Sequence, residues 1–169
     1  MPRSTIVSNA PPPFQAFLDE HRETVWRFLI ASVGPTDADD CFQETFIAAL
    51  RAYPQLSGRP REHNLRAWVL TIAHRKALDT HRARARRATP VADPASVSDA
   101  AAPAAGEVRD TELWQAVEEL PERQRSAVVL RFVGDLAHRE IANAIGCSEE
   151  AARRSLHEGV SKLRKVVPA

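Results

Sequence analysis

The 169 residues predict an all-α fold: two small helical domains joined by a flexible Ala/Pro-rich linker, the second domain containing a helix-turn-helix. Three observations lead there. Apolar residues recur at three- and four-residue steps through most of the chain, the period of amphipathic helices. Residues 88–106 break the pattern, with eight Ala and three Pro and no Lys, Arg, aromatic, Leu or Ile. Pro90, Pro94 and Pro103 each remove an amide donor and push the preceding residue out of helical angles, and so little apolar surface does not offset the entropy of ordering. Lastly, a helix, a glycine and a serine-capped helix follow one another near the C-terminus. The predicted organisation is a disordered start at 1–13, a helical module at 14–87, the tether at 88–106 and a second module at 107–169. Each module is near the lower size limit for folding alone.

The net charge of +1 hides an uneven distribution. Residues 1–58 hold four Arg and seven acids (−3), and residues 59–87 hold nine basic and two acidic residues (+7). The tether carries −2, and 107–169 balances ten basic against eleven acidic residues (−1). Such segregation predicts a polyanion partner at 59–87 and a different, basic partner for the acidic start. Cys41 and Cys147 form no CxxC pair, which points to a reducing compartment. No run of 18 apolar residues exists, and 1–13 lacks a signal-peptide core, so a cytoplasmic protein with no membrane partner is expected. The six histidines fall into no HExxH or Cys/His zinc spacing, and neither a phosphate-cradling Gly-rich loop nor a nucleophile elbow is present. The expectation is no catalytic residue, no metal and no cofactor.

Phe14, Phe17, Leu18, His21, Val25, Phe28 and Leu29 place the first helix at 14–32, stopped by Gly34-Pro35. Thr36 with Asp39 three positions on reads as a helix cap. The next helix is expected from Asp37 to about Ala52, with Phe42, Phe46, Ala49, Leu50 and Tyr53 buried. Asp40, Gln43 and Glu44 form a polar patch at i, i+3, i+4 on its outer side. Spacing alone does not separate a docking patch from a soluble face. Gln55 to Asn64 reads as a loop, and a long helix follows from about Leu65 to Arg87. Its apolar stripe is Leu65, Trp68, Val69, Ile72, Ala73 and Ala77, with Trp68 read as core. Arg66, His74, Arg75, Asp79, His81, Arg82 and Arg86 project elsewhere. Past Thr80 the stripe gives way to HRARARR, suited to phosphate by its fixed charge and fork of donors, or simply a solvated helix end.

In the second module Leu113, Trp114, Val117 and Leu120 mark a short helix before Pro121. Val128, Val129, Phe132 and Val133 carry the next to Gly134, a C-terminal cap. A short helix with Ile141, Ala142 and Ile145 buried is then broken by Gly146, and Ser148 caps a second helix held by Ala152, Leu156, Val160 and Leu163. The outward face of that helix shows Glu149, Glu150, Arg153, Arg154 and His157. This spacing is that of a helix-turn-helix, whose second helix enters the major groove, although a generic charged hairpin fits the same pattern.

Together the two modules resemble the extracytoplasmic-function sigma factors of bacterial RNA polymerase, with sigma regions 2 and 4 only. The matching stretches are DADDCFQETFIAAL, NLRAWVLTIAHRKALDTHRARARR and LPERQRSAVVLRFVGDLAHREIANAIGCSEEAARRSLHEGVSKLRK, in the family's order. The resemblance implies a non-catalytic promoter-specificity subunit. Asp40, Gln43, Glu44 and Phe46 would dock on the coiled coil of the polymerase's largest subunit, and the flap of the second-largest subunit would be a further contact. Arg61, Asn64, Arg66, Arg75, Arg82 and Arg86 would serve the −10 element, with the loop before Asn64 taking a flipped base. Arg139, Ser148, Glu150, Arg153, Arg154 and His157 would serve the −35 element. An anti-sigma factor covering both modules is a further partner that the resemblance admits. A freestanding helix-turn-helix regulator is the alternative, but it leaves the acidic patch and the +7 segment without a role.

Five residues depart from the family pattern: Arg75, Ala137, Ala151, Ala152 and Glu158. Ala137 lacks a capping hydroxyl, which costs roughly 1 kcal/mol. Glu158 would repel phosphate unless Arg154 screens it. Weak −35 binding by the second module alone is the expected result. The tether, about 25 Å across as a coil and at most about 60–70 Å extended, would set the spacing of the modules along promoter DNA.

Overall fold

The computed structural model describes residues 11–56, 64–88 and 105–166, with backbone alone for 105–110. Among these residues the helices are α1 Phe14–Val33, α2 Pro35–Ala52, α3 Leu65–Arg87, α4 Ala105–Glu118, α5 Glu122–Phe132, α6 His138–Ile145 and α7 Glu149–Val166, with a 3-10 turn at Tyr53–Leu56. Residues 57–63 of the expected loop, with Arg61, and residues 89–104 of the tether lie outside the described residues. Helix α4 begins two residues inside the span read as tether.

Helices α1 to α3 pack around aromatic side chains. Phe17 is fully buried, with its ring 5.7 Å from Trp68, 5.1 Å from Tyr53 and 6.4 Å from Phe46. Trp68 is therefore core, as its position on the apolar stripe predicts. The Tyr53 hydroxyl donates to the Pro12 carbonyl at 2.6 Å and ties the chain's entry to the end of α2. Gly34, at φ 80° and ψ 169°, makes the corner between α1 and α2 that other residues avoid. Pro35 follows as the first residue of α2, where its missing amide is no loss, so α2 starts before Thr36 and not at Asp37. Leu50 was expected inside and is 53% exposed; it lies outside the buried stripe of Ala38, Cys41, Thr45, Phe46 and Ala49.

Helix α2 is fastened to α3 by polar contacts. The Cys41 thiol and the Thr80 hydroxyl lie 3.0 Å apart, and Lys76 pairs with Glu44 at 3.3 Å. Arg84 pairs with Asp37 and also donates to the Val33 carbonyl at 2.9 Å. One arginine of the basic run thus anchors the α1–α2 corner. It is not part of a free phosphate-binding end.

In the second module α7 lies against α5 at Gly159, where an added Cβ would come within 2.8 Å of Val128 Cγ2. Gly146 takes the left-handed conformation at φ 71° and ends α6, and Ser148 Oγ accepts from the Ala151 amide at 3.2 Å to start α7. Gly134 also follows a helix end, but the left-handed residue there is Asp135 at φ 53°. At Gly134 the missing side chain permits close packing: an added Cβ would sit 2.7 Å from the Leu130 carbonyl and 2.9 Å from Leu70 Cδ1.

That last contact crosses between modules. One hydrophobic core includes Phe17, Leu70 and Ala73 from the first module and Val129, Leu130 and Leu136 from the second. Separate cores for the two modules were the expectation from sequence; here they pack as one body, α3 against α6 and α1 against α5.

Candidate functional site

Three polar surfaces emerge from this frame. The first lies on α2, where Asp40, Gln43 and Glu44 are all exposed. Gln43 donates to Asp39 at 2.9 Å, and Glu44 is partly neutralised by Lys76. Phe46 is buried at 7% exposure and packs 4.8 Å from Phe42, so it supports the patch from beneath and offers no surface of its own. Beside the acids stand Ile47 and Leu50, both about half exposed. An apolar strip bordered by carboxylates suits a partner with a basic rim around apolar side chains.

The second surface is on α3. Asn64 is its N-cap, accepting from the Arg66 and Ala67 amides at 3.1 and 3.3 Å. Arg75, Arg82 and Arg86 are exposed, Arg82 with a 3.8 Å pair to Asp79. Arg66 is half-buried and turned toward the second module. His74 was expected to project away from the core but is only 4% exposed. Burial pushes its imidazole down to about 4, with Arg75 and His81 acting the same way and Glu122 opposing them. His81 is likewise lowered by burial, while its ring nitrogen lies 2.8 Å from the Ser32 carbonyl. The two rings line a small crevice with Ser32, Ala77, Arg125, Ser126 and Val129, where α1, α3 and α5 meet.

The third surface is the exposed face of α7. Arg153 pairs with Glu149 at 3.0 Å and Arg154 with Glu150 at 3.3 Å, each one turn apart along the helix. Such exposed pairs are weak and readily exchanged for phosphate. Ser148, Glu150, Arg153, Arg154 and His157 lie together at the N-terminal half of α7, and Arg139 is exposed on α6. Glu158 is tied to α5 by Gln124, which donates to it at 2.8 Å, while Arg154 pairs with Glu150. At Ala137 no side chain caps α6, but the Glu140 carboxylate accepts from the Ala137 amide at 2.8 Å. Half of a capping box therefore survives the loss of the hydroxyl.

Two features went unread in the sequence. An apolar groove of about 310 Å³ is lined by Trp114, Val117, Val128, Phe132, Val160 and Leu163, with Phe132 68% exposed. Its signal was an excess of large apolar residues on α4 and α5 for so small a module. The other is the pairing of Asn64 and Arg66 with Glu140 and Asp135, which no periodicity announces. Among the described residues no group of His, Cys, Asp and Glu is placed to hold a metal ion, and no helix is long and apolar enough to cross a membrane.

Residues 17–87 match the family of Sigma-70 region 2, and residues 110–163 that of Sigma-70, region 4. The chain is 32% identical over 162 residues to the ECF RNA polymerase sigma factor SigD of Mycobacterium tuberculosis, covering 90% of this chain and 76% of SigD. It is 27% identical over 164 residues to the ECF RNA polymerase sigma factor SigX of Bacillus subtilis, covering 90% and 82% respectively. Among solved structures, the sigma factor RpoE in complex with the anti-sigma factor NepR from Bartonella quintana shares the fold with a TM-score of 0.72 at 18% identity, covering 90% of this chain and 95% of RpoE. CnrH in complex with the cytosolic domain of CnrY gives a TM-score of 0.66 at 21% identity, covering 90% and 85%.

Proposed function

The chain belongs to the extracytoplasmic-function RNA polymerase sigma factors and directs promoter-specific initiation together with core polymerase, and we propose a division of that work among its helices. The exposed face of α2, with Asp40, Gln43 and Glu44 over the buried Phe46, docks on the coiled coil of the largest subunit. The start and outer face of α3, with Asn64, Arg66, Arg75, Arg82 and Arg86, engage the −10 element, together with Arg61, which lies outside the described residues. The N-terminal half of α7, with Ser148, Glu150, Arg153, Arg154 and His157, and Arg139 on α6, engage −35 duplex. The groove between Trp114 and Phe132 receives the flap of the second-largest subunit. An anti-sigma factor is a further partner, as RpoE and CnrH are each captured with a protein partner. The role is non-catalytic and cytoplasmic, beside the polymerase.

One observation supports this division best: the exposed carboxylates of Asp39, Asp40 and Glu44 cluster on α2, whereas Arg75, Arg82 and Arg86 stand exposed on α3 and Arg153 and Arg154 on α7, each of the last two paired with a glutamate of its own helix. Basic and acidic partners are thus addressed by different helices. Asp40 is exposed, and its charge reversal spares the α2–α3 contacts. Asp40→Arg is expected to lower capture by core polymerase tenfold or more with an unchanged melting temperature. Capture equal to that of the wild type would overturn the docking assignment.

A further inference from the structure

Two exposed surfaces, one on each module, match each other in shape and in charge. On α2, Ile47 and Leu50 are 49% and 53% exposed and stand three apart, so they share the outer face of the helix. Asp40, Gln43 and Glu44 precede them on that face and Arg51 follows, all exposed, so the strip is acidic at one end and basic at the other. In the second module the groove of about 310 Å³ lies between Trp114 and Phe132, with Arg164 on its α7 wall. Its α4 wall carries exposed Glu118 beside Val117. We propose that a second copy of this chain occupies the groove in the free protein, inserting Ile47 and Leu50 of its α2 between Trp114 and Phe132.

A helix laid in an apolar groove is held by side chains at i and i+3 or i+4, and Ile47 with Leu50 supplies such a pair. Trp114 and Phe132 are 40% and 68% exposed, and aromatic side chains that close over an apolar anchor contribute much of an interface's strength. Charge fixes the orientation. Asp40, Arg51, Glu118 and Arg164 form no ion pair among the described residues, so each is open to a charge of opposite sign. Strip and groove each present one acid and one arginine of these four. Pairs of this kind set orientation and encounter rate more than affinity.

One copy does not satisfy itself. Strip and groove lie on different modules, and Ile47, Leu50, Trp114 and Phe132 all stand exposed in the single chain, so the match is made between copies. Reciprocal insertion closes a two-fold pair, whereas an unreciprocated contact grows into an open chain. One strip in one groove is at the small end of specific interfaces, so the association is weak and depends on concentration. It takes up two surfaces that the proposed division gives to polymerase, which makes the associated chain a reserve form. That consequence rests on the division; the self-contact does not.

The full chain without polymerase is followed by sedimentation from about 1 to about 200 µM, the range in which small interfaces associate. The wild type should shift from monomer to dimer or higher mass as concentration rises. Leu50→Asp spoils the strip and Phe132→Asp spoils the groove; each alone should stay monomeric with an unchanged melting temperature. Mixed together, the two variants should form a one-to-one pair, because one keeps its groove and the other its strip. A wild type that stays monomeric would overturn the proposal and leave the groove to polymerase or to another segment. Phe132→Asp associating like the wild type would mean strip on strip, Leu50→Asp doing so would mean groove on groove, and either result overturns it. So does a mixture that remains monomeric. If a variant melts lower, Ile47→Asp replaces the first or Arg164→Glu the second, with the same outcomes. The polymerase docking assignment fails separately if Asp40→Arg is captured as well as the wild type, whatever the sedimentation shows.

Discussion

At Gly159 the space for a side chain is already filled by Val128 Cγ2 and the Gln124 carbonyl. Glycine normally weakens a helix by about 1 kcal/mol relative to alanine, so its place in α7 reflects the crossing with α5. Gly159→Leu is expected to destabilise the protein by about 1–3 kcal/mol, read from a denaturant melt, because neither helix can retreat without opening the module. An unchanged or higher midpoint would show that the crossing relaxes. His74 makes a second prediction at this scale. Its imidazole is held down to about 4 in the folded chain, against 6.5 when unfolded. The lowered value means that the folded form binds the proton less well, so stability is full above pH 6.5 and is lost as pH falls from there toward 4. Between pH 7.5 and 5 the loss from His74 alone is about 2 kcal/mol. His74→Asn should flatten the dependence partly, since His21 and His81 are lowered by burial in the same direction.

At the scale of elements, α3 holds the most meaning per residue. Its Leu65–Trp68–Ile72 side was legible from sequence because large apolar residues mark it. The side facing the second module was legible only in part: Ala73 and Ala77 were read on the apolar stripe, but Leu70 was left out of it and His74 was expected to project away, and both are buried. Caps and turns were easier to read. Gly146 and Ser148 sit where backbone geometry demands a glycine and a hydroxyl acceptor, and they frame α6 and α7 as expected. Thr36 looked equally good as a cap, but the Gly34-Pro35 pair starts α2 first. The basic end of α3 also divides in two. Arg84 is spent on Asp37 and Val33, whereas Arg82, Arg86 and Arg87 are exposed. Replacing these three by Ser should weaken promoter complexes and lower the salt slope by up to about 2–3, in proportion to phosphates neutralised. Arg84→Ser should instead lower stability and leave the slope nearly unchanged. If all four behave alike, the distinction between anchor and phosphate ligand is wrong.

At the scale of the whole molecule, charge segregation pointed to two partners of opposite sign, but it gave no hint that the modules pair with each other. A surface that binds DNA is polar and mostly exposed, and a reading based on burial has nothing to grip there. The roles of the site residues and of the docking face both depend on the chain acting as a polymerase subunit. Promoter-dependent transcription in vitro measures that directly, with core polymerase, a promoter library and the purified chain. Transcripts from a defined subset of promoters should require the wild-type chain and be lost with Asp40→Arg. A transcript pattern from core polymerase that is the same with and without the chain would contradict it.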